Sequence, residues 1–277
     1  DIAEAVVTFQ RDNGNRSNRK LSRLKYTIDK VGLDNFKADV EKRSGIKFEP
    51  IRPFEFKYRN DIIGWRKDFK NDWHFTAFTE NGRIMDQDFA KFKTAIWDIA
   101  NLNISEFQFT ANQNLTIAEV KEADKAKIDE ILSKYGIIEY QKTLTEARIG
   151  SMACVALNTC SLALAEAQRY MPSLITKIEP LLEKHNMKDK EITIRMTGCP
   201  NGCARPYVAE IGFVGTALGK YNFHLGGDRL GKRLNVKYKE SLNEAEILSE
   251  LDGFFALYNK EGIGKDFGDF IYDHLNK

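Results

Sequence analysis

Apolar residues recur at steps of three and four between Arg19 and Arg43, first Leu21, Leu24, Ile28 and Val31 and then, beyond Gly32, Phe36 and Val40. This spacing predicts two short helices. The stretch before them, RDNGNRSNRK, is basic and turn-rich and predicts a loop. Gly45, Pro50 and Pro53 mark a boundary. Beyond it, DWHFTAFTENGRIM reads as a strand, an Asn81-Gly82 turn and a second strand. Phe89, Phe92, Ile96 and Ile99 keep helical spacing, EFQFT alternates as a strand, and Ile117 to Tyr135 reads as helix. Strands interleaved with helices imply an α+β sandwich with helices on one sheet face.

The later part of the chain has the same mixed character. SLALAEAQRYMPSLITKIEPLLEKHN is helical in pattern, with interruptions expected at Pro172 and near Pro180, since proline lacks the amide donor. Ile192, Ile194 and Met196 alternate in EITIRMTG, a strand that runs directly into Cys199. YVAEIGFVG and YNFHLGG read as further strands, and NEAEILSELDGFFALYNKEG as a late helix capped by Asn243.

Composition narrows the classes without choosing one. The 277 residues suffice for two domains, and 30% charged with 42% apolar residues is ordinary for a globular chain. A net charge of +2 argues for neither nucleic acid nor membrane as a partner. No apolar run approaches the ~20 residues of a membrane span, and the N-terminus lacks the order of a signal peptide. A cytoplasmic protein is expected, and the start at Asp1 suggests a processed or truncated chain.

All four cysteines fall in two tight pairs, written C-x5-C-x38-C-x3-C for Cys154, Cys160, Cys199 and Cys203. In a reducing compartment such pairs point to metal or redox chemistry more than to disulfides. Four thiolates can hold zinc or an iron-sulfur cluster. Zinc prefers two to four residues between paired ligands, so the five of the first pair suit a larger cluster better, and zinc stays open on spacing alone. The expected helix after Cys160 would point its N-terminal amides at such a cluster, and Gly198 and Gly202 would let the main chain approach it.

TGCPNGCARP and ACVALNTCSLALAEAQRY, followed by YNFHLGGDRLGKRL and YKESLNEAEIL, resemble the C-terminal half of the assimilatory sulfite reductase hemoproteins, whose nitrite reductase relatives share the cysteine spacing. RDNGNRSNRK, GIKFEPIRP, WHFTAFTENGRI and FTANQNLTIAEV extend the likeness over nearly the whole chain. The resemblance implies a ferredoxin-like α/β sandwich followed by a cluster- and siroheme-binding α/β domain. It implies that Cys154, Cys160, Cys199 and Cys203 bind a [4Fe-4S] cluster, with Cys203 also ligating siroheme iron at the catalytic centre. It places Asn201 and Gln113 beside the macrocycle, with Arg16, Arg19 and Arg23 as further cofactor-binding candidates. The implied reaction is six-electron reduction of sulfite to sulfide, fed by a flavoprotein NADPH reductase or by ferredoxin. Nitrite reduction on the same scaffold and a zinc-stapled, non-catalytic module are the alternatives.

Family members consist of two related halves, and the chief substrate-binding Arg and Lys residues lie in the N-terminal half, which has no counterpart here. A fragment that cannot turn over alone is therefore expected. Its parts are residues 1–45, the tail of a preceding domain; 46–145, a ferredoxin-like domain; and 146–277, the cofactor-binding domain. His74, His185, His224 and His274 read as structural residues, Met152 and Met196 as packing around the cluster, and LGGDRLGKR as a turn bordering the cofactor without a dinucleotide loop's context.

Overall fold

The computed structural model describes residues 1–276, and contacts divide the chain into Asp1–Glu55 and a unit running from Phe56 to the C-terminus. The first unit is helical: α1 (Ile2–Asn13), α2 (Leu24–Val31) and α3 (Leu33–Ser44). The two helices expected from periodicity are α2 and α3, joined at Gly32, whose φ of +87° suits a residue without a Cβ. Helix α1 was not expected. It buries Ala5 and Phe9, one turn apart, and Phe9 meets Phe36 of α3 edge to face at 4.9 Å. Arg43 of α3 pairs with Asp12 at 2.7 Å, and Asp12 is held well below its usual range, first by its bond to Arg11 and then by Arg43.

The second unit contains two sheets, each with helices on one face, as the α+β reading requires. The first is antiparallel in the order β1-β2-β4-β3, from β1 (Gly64–Lys67), β2 (Trp73–Ala77), β3 (Glu106–Phe109) and β4 (Leu115–Val120). Helices α4 (Phe92–Leu102) and α5 (Lys125–Lys134) pack Phe92, Ala95, Ile99, Ile128 and Leu132 against Phe75, Leu115 and Ile117. Two expectations fail here. The strand after Asn81-Gly82 does not form: residues 80–82 make a 3-10 turn, and β2 pairs with β1 and β4 instead. Residues 115–120 are strand, not the start of a helix, because their alternate residues bury on both faces of the sheet: Ile117 packs under the helices while Thr116 bonds Thr76 at 2.9 Å.

After two short helices, α6 (Ile137–Lys142) and α7 (Glu146–Ile149), the second sheet runs β5-β6-β7-β8-β9. Its strands are β5 (Ser151–Ala153), β6 (Ile194–Thr197), β7 (Ile211–Ala217), β8 (Lys220–Leu225) and β9 (Val236–Leu242). The first three are mutually parallel and the last two antiparallel. One face carries Ile194, Met196, Ile211 and Phe213 against α8 (Met171–Lys184), α9 (Glu244–Glu261) and α10 (Phe267–Leu275). Each large side chain fully buried there contributes about 1.5–3 kcal/mol. Pro172 begins α8 instead of interrupting it, a position where the missing amide costs nothing, and Pro180 lies inside without ending it. Asn243 caps α9 in a reciprocal capping box with Glu246, as expected in kind. Asn243→Ala should lower the unfolding free energy by about 1 kcal/mol in urea titrations.

Glu210 locks α10 to this sheet. Its carboxylate is wholly buried, accepting from the Thr193 amide at 2.9 Å and the Gly268 amide at 2.9 Å. Burial pushes its pKa up to about 7, the amide bonds offsetting only part of that. Between the unfolded value near 4.5 and about 7 the folded chain thus holds more protons than the unfolded one, and Glu210's contribution to stability falls as pH rises. Chemical denaturation across pH 4.5–8 should show a more negative slope for the natural chain than for Glu210→Gln.

Candidate functional site

The parallel pairing of β5 with β6 sets Ala153 opposite Met196, so both strands deliver their next residues to the same end of the sheet. Cys154 follows β5 directly, its amide donating to the Met196 carbonyl at 3.1 Å. Cys199 comes two residues after β6, and the intervening Gly198 amide donates to Cys154 Sγ at 3.3 Å. The loop carrying Cys160 is folded back on this point. Leu164 and Ala165 both donate to the Gly198 carbonyl, at 2.7 and 3.1 Å, and Gln168 closes the loop on the Cys154 carbonyl at 3.0 Å.

All four thiols are free, with Cys199 buried, Cys154 and Cys160 half-buried and Cys203 exposed. Burial raises the pKa of Cys154, countered by the amides of Gly198 and Ala156, and nearby Cys203 and Cys199 raise it further. These three sulfurs therefore share one electrostatic neighbourhood. Among the described residues, however, no three Cys, His, Asp or Glu side chains stand close enough to hold a single ion. Sulfurs around one zinc, each at ~2.3 Å, must approach one another to about 3.8 Å. Four free thiols, two of them delivered to one end of the sheet, are a donor set that fits a thiolate-bound group.

The structure changes the reasons given for the glycines and for Cys160. Residues 161–170 form turns, with α8 beginning only at Met171, so no helix N-terminus faces the thiols from Cys160. At Gly198 a Cβ would lie 2.6 Å from the Ala165 carbonyl and 2.7 Å from the Ala156 Cβ, and at Gly202 (φ +71°) 2.9 Å from the Tyr207 ring. Both glycines make room for the protein's own chain.

Gln113, in the turn between β3 and β4, donates from Nε2 to the Ala153 carbonyl at 2.9 Å, immediately before Cys154. Its Oε1 is buried and has no partner. Asn201 is exposed in the turn between Cys199 and Cys203. Tyr207 braces that turn, donating to the Pro200 carbonyl at 3.0 Å. Arg16, Arg19 and Arg23 all belong to the first unit, where Arg16 bonds the Arg11 carbonyl and borders a concavity of about 730 Å³ with Asn15, Tyr26 and Lys30. In the second unit a concavity of about 600 Å³ surrounds Arg148 and contains no thiol. Three arginines of the second unit escaped the sequence reading: Arg59, Arg195 and Arg205. For Arg195 a signal existed, a charged residue inside an apolar strand.

Residues 1–48 match the family model "Nitrite and sulphite reductase 4Fe-4S domain" and residues 66–135 match "Nitrite/Sulfite reductase ferredoxin-like half domain". The first of these segments contains no cysteine, so the thiols are not what that match rests on. The sulfite reductase (NADPH) hemoprotein beta-component of Leptospira biflexa is 54% identical over 271 residues, which is 98% of this chain and 49% of that protein. The protein of the same name from Pectobacterium atrosepticum is 50% identical over 98% of this chain and 47% of its own length. The Mycobacterium tuberculosis NirA structure matches with a TM-score of 0.77 at 24% identity, over 98% of this chain and 51% of that one, a likeness of fold. The chain belongs to the nitrite and sulfite reductase family. It spans about half the length of the curated relatives it matches.

Gly198→Ala tests the loop closure. The added methyl collides with backbone, so stability should fall by about 1–3 kcal/mol and native-state labelling of Cys154 and Cys160 by a thiol reagent should quicken several-fold.

Proposed function

We propose that this chain is the cluster-bearing half of an enzyme that reduces sulfite to sulfide, with Cys154, Cys160, Cys199 and Cys203 holding a [4Fe-4S] cluster and Cys203 also ligating siroheme. The observation that carries this reading is the delivery of Cys154 and Cys199 to one sheet end by parallel strands, with the Cys160 loop bonded back onto Gly198. The 50–54% identity to hemoproteins named for sulfite reduction supports the substrate. When bound, a cluster sharing a thiolate with siroheme supplies one-electron storage and relay for a six-electron reduction.

The chain's own residues set the conditions for this. The Gly198 amide donates toward Cys154 Sγ and favours its thiolate. Gln113 fixes the main chain just before Cys154. Cys203 stands on the exposed side, where a second metal can reach it, and Asn201 beside it is free to donate an amide hydrogen to a bound carboxylate or substrate oxygen. Arg16, Arg19 and Arg23 are proposed to meet cofactor carboxylates. The electron donor is proposed to be a flavoprotein NADPH reductase, a reading supported by the NADPH in the relatives' names, with ferredoxin as the alternative. No helix among the described residues is long and apolar enough to cross a membrane, and the four free thiols favour a reducing cytoplasm.

Anaerobic purification followed by visible absorption and metal analysis tests the assignment. Cys154→Ser should abolish the cluster signal, while Cys203→Ser should lose siroheme. One zinc per chain without visible absorption would overturn the redox reading. Turnover of sulfite against nitrite by the chain joined to its N-terminal counterpart decides between the two substrates.

A further inference from the structure

Arg195 is 1% exposed, yet its Nε and Nη1 have no hydrogen-bond partner. Strand register fixes where it points. Met152, Arg195, Gly212, His224 and Lys237 lie in one row across the second sheet, on the face opposite the apolar core. Gly212 offers no side chain to meet the guanidinium. Arg205 approaches the same row from the turn after Cys203, its Nη2 3.8 Å from Met152 Sδ while bonding the Ala111 carbonyl at 2.7 Å. Arg59 is the third cation, bonded to the Val208 carbonyl. Burial, together with the positive charges of Arg59 and Arg205, lowers the pKa of Arg195 to about 9. Among the described residues no carboxylate pairs with any of the three; Glu210 and Asp228 only soften the field at Arg59.

An unpaired charge in such surroundings is strongly unfavourable. Water could satisfy the hydrogen bonds but would leave the charge uncompensated. We propose that Arg195, Arg59 and Arg205 form an oxyanion-binding niche that takes a carboxylate or a small inorganic oxyanion. Planar guanidinium forks suit both, and the exposed Arg205 gives the niche an open side. The niche is built from the chain's own residues and is read out without activity, so it can fail while the cluster reading stands, and the reverse.

Thermal unfolding of the purified chain tests it, with chloride replaced at constant ionic strength by sulfate, phosphate, acetate or succinate. The natural chain should gain a saturable stabilisation beyond that of Arg195→Met, which keeps the side chain's bulk without its charge and controls for the general effect of excluded salts. Arg205→Gln, at an exposed position, should weaken the apparent affinity about tenfold and serves if Arg195→Met does not fold. An excess with sulfate or phosphate alone identifies a free inorganic ion as the occupant; an excess with acetate or succinate alone identifies a carboxylate. Iron and siroheme contents are measured alongside, so that lost cofactor is not mistaken for a lost anion. No excess with any anion, or the same excess in both variants, overturns the niche and leaves Arg195 held by water.

Discussion

Two strands running in the same direction govern the second unit. Were β5 and β6 antiparallel, their C-terminal ends would lie at opposite ends of the strands, and Cys154 and Cys199 would be separated by a strand's length. The pairing is instead parallel, with Ala153 beside Met196, and so the ends coincide. Parallel pairing requires a long crossover, supplied here by the Cys160 loop and α8. The same crossover carries Cys160 in a loop that bonds back onto Gly198 and Cys154 at the strand ends.

Much of this was legible in the sequence, for identifiable reasons. The tight cysteine pairs, the alternation of Ile192, Ile194 and Met196 into Cys199, and the Asn243 cap are local signals, and the structure carries β6 and the α9 cap close to where they were read. What escaped depends on distant partners. Residues 115–120 became strand because β2 and β3 flank them, a fact that spacing within the segment cannot encode. Strand β9 and helix α10 were missed because their exposed Lys-rich face and short length mask the period. The roles of Gly198 and Gly202 were misread for a related reason. Both lack a side chain because neighbouring loop atoms fill that space, and only the folded chain shows which atoms those are.

The two faces of the second sheet divide its labour. One is apolar and carries α8, α9 and α10; the other presents the row of Met152, Arg195, Gly212, His224 and Lys237. Arg195 and Met196 are adjacent in sequence and lie on opposite sides of this division. Strand alternation therefore turns a single dipeptide into one core residue and one buried cation.

Arg148 ties the two sheets' supports together. Its guanidinium grips Glu179 of α8 through both carboxylate oxygens, at 2.7 and 3.0 Å, and also reaches Glu80 in the turn after β2. Burial would disfavour this charge, yet the two carboxylates raise its pKa, so the clasp stays ionised. Such a crosslink behaves as a rivet. It resists shear between the sheet that presents Gln113 and the helix that backs the thiol loop, so the cysteine-bearing loops rest on a stiff frame.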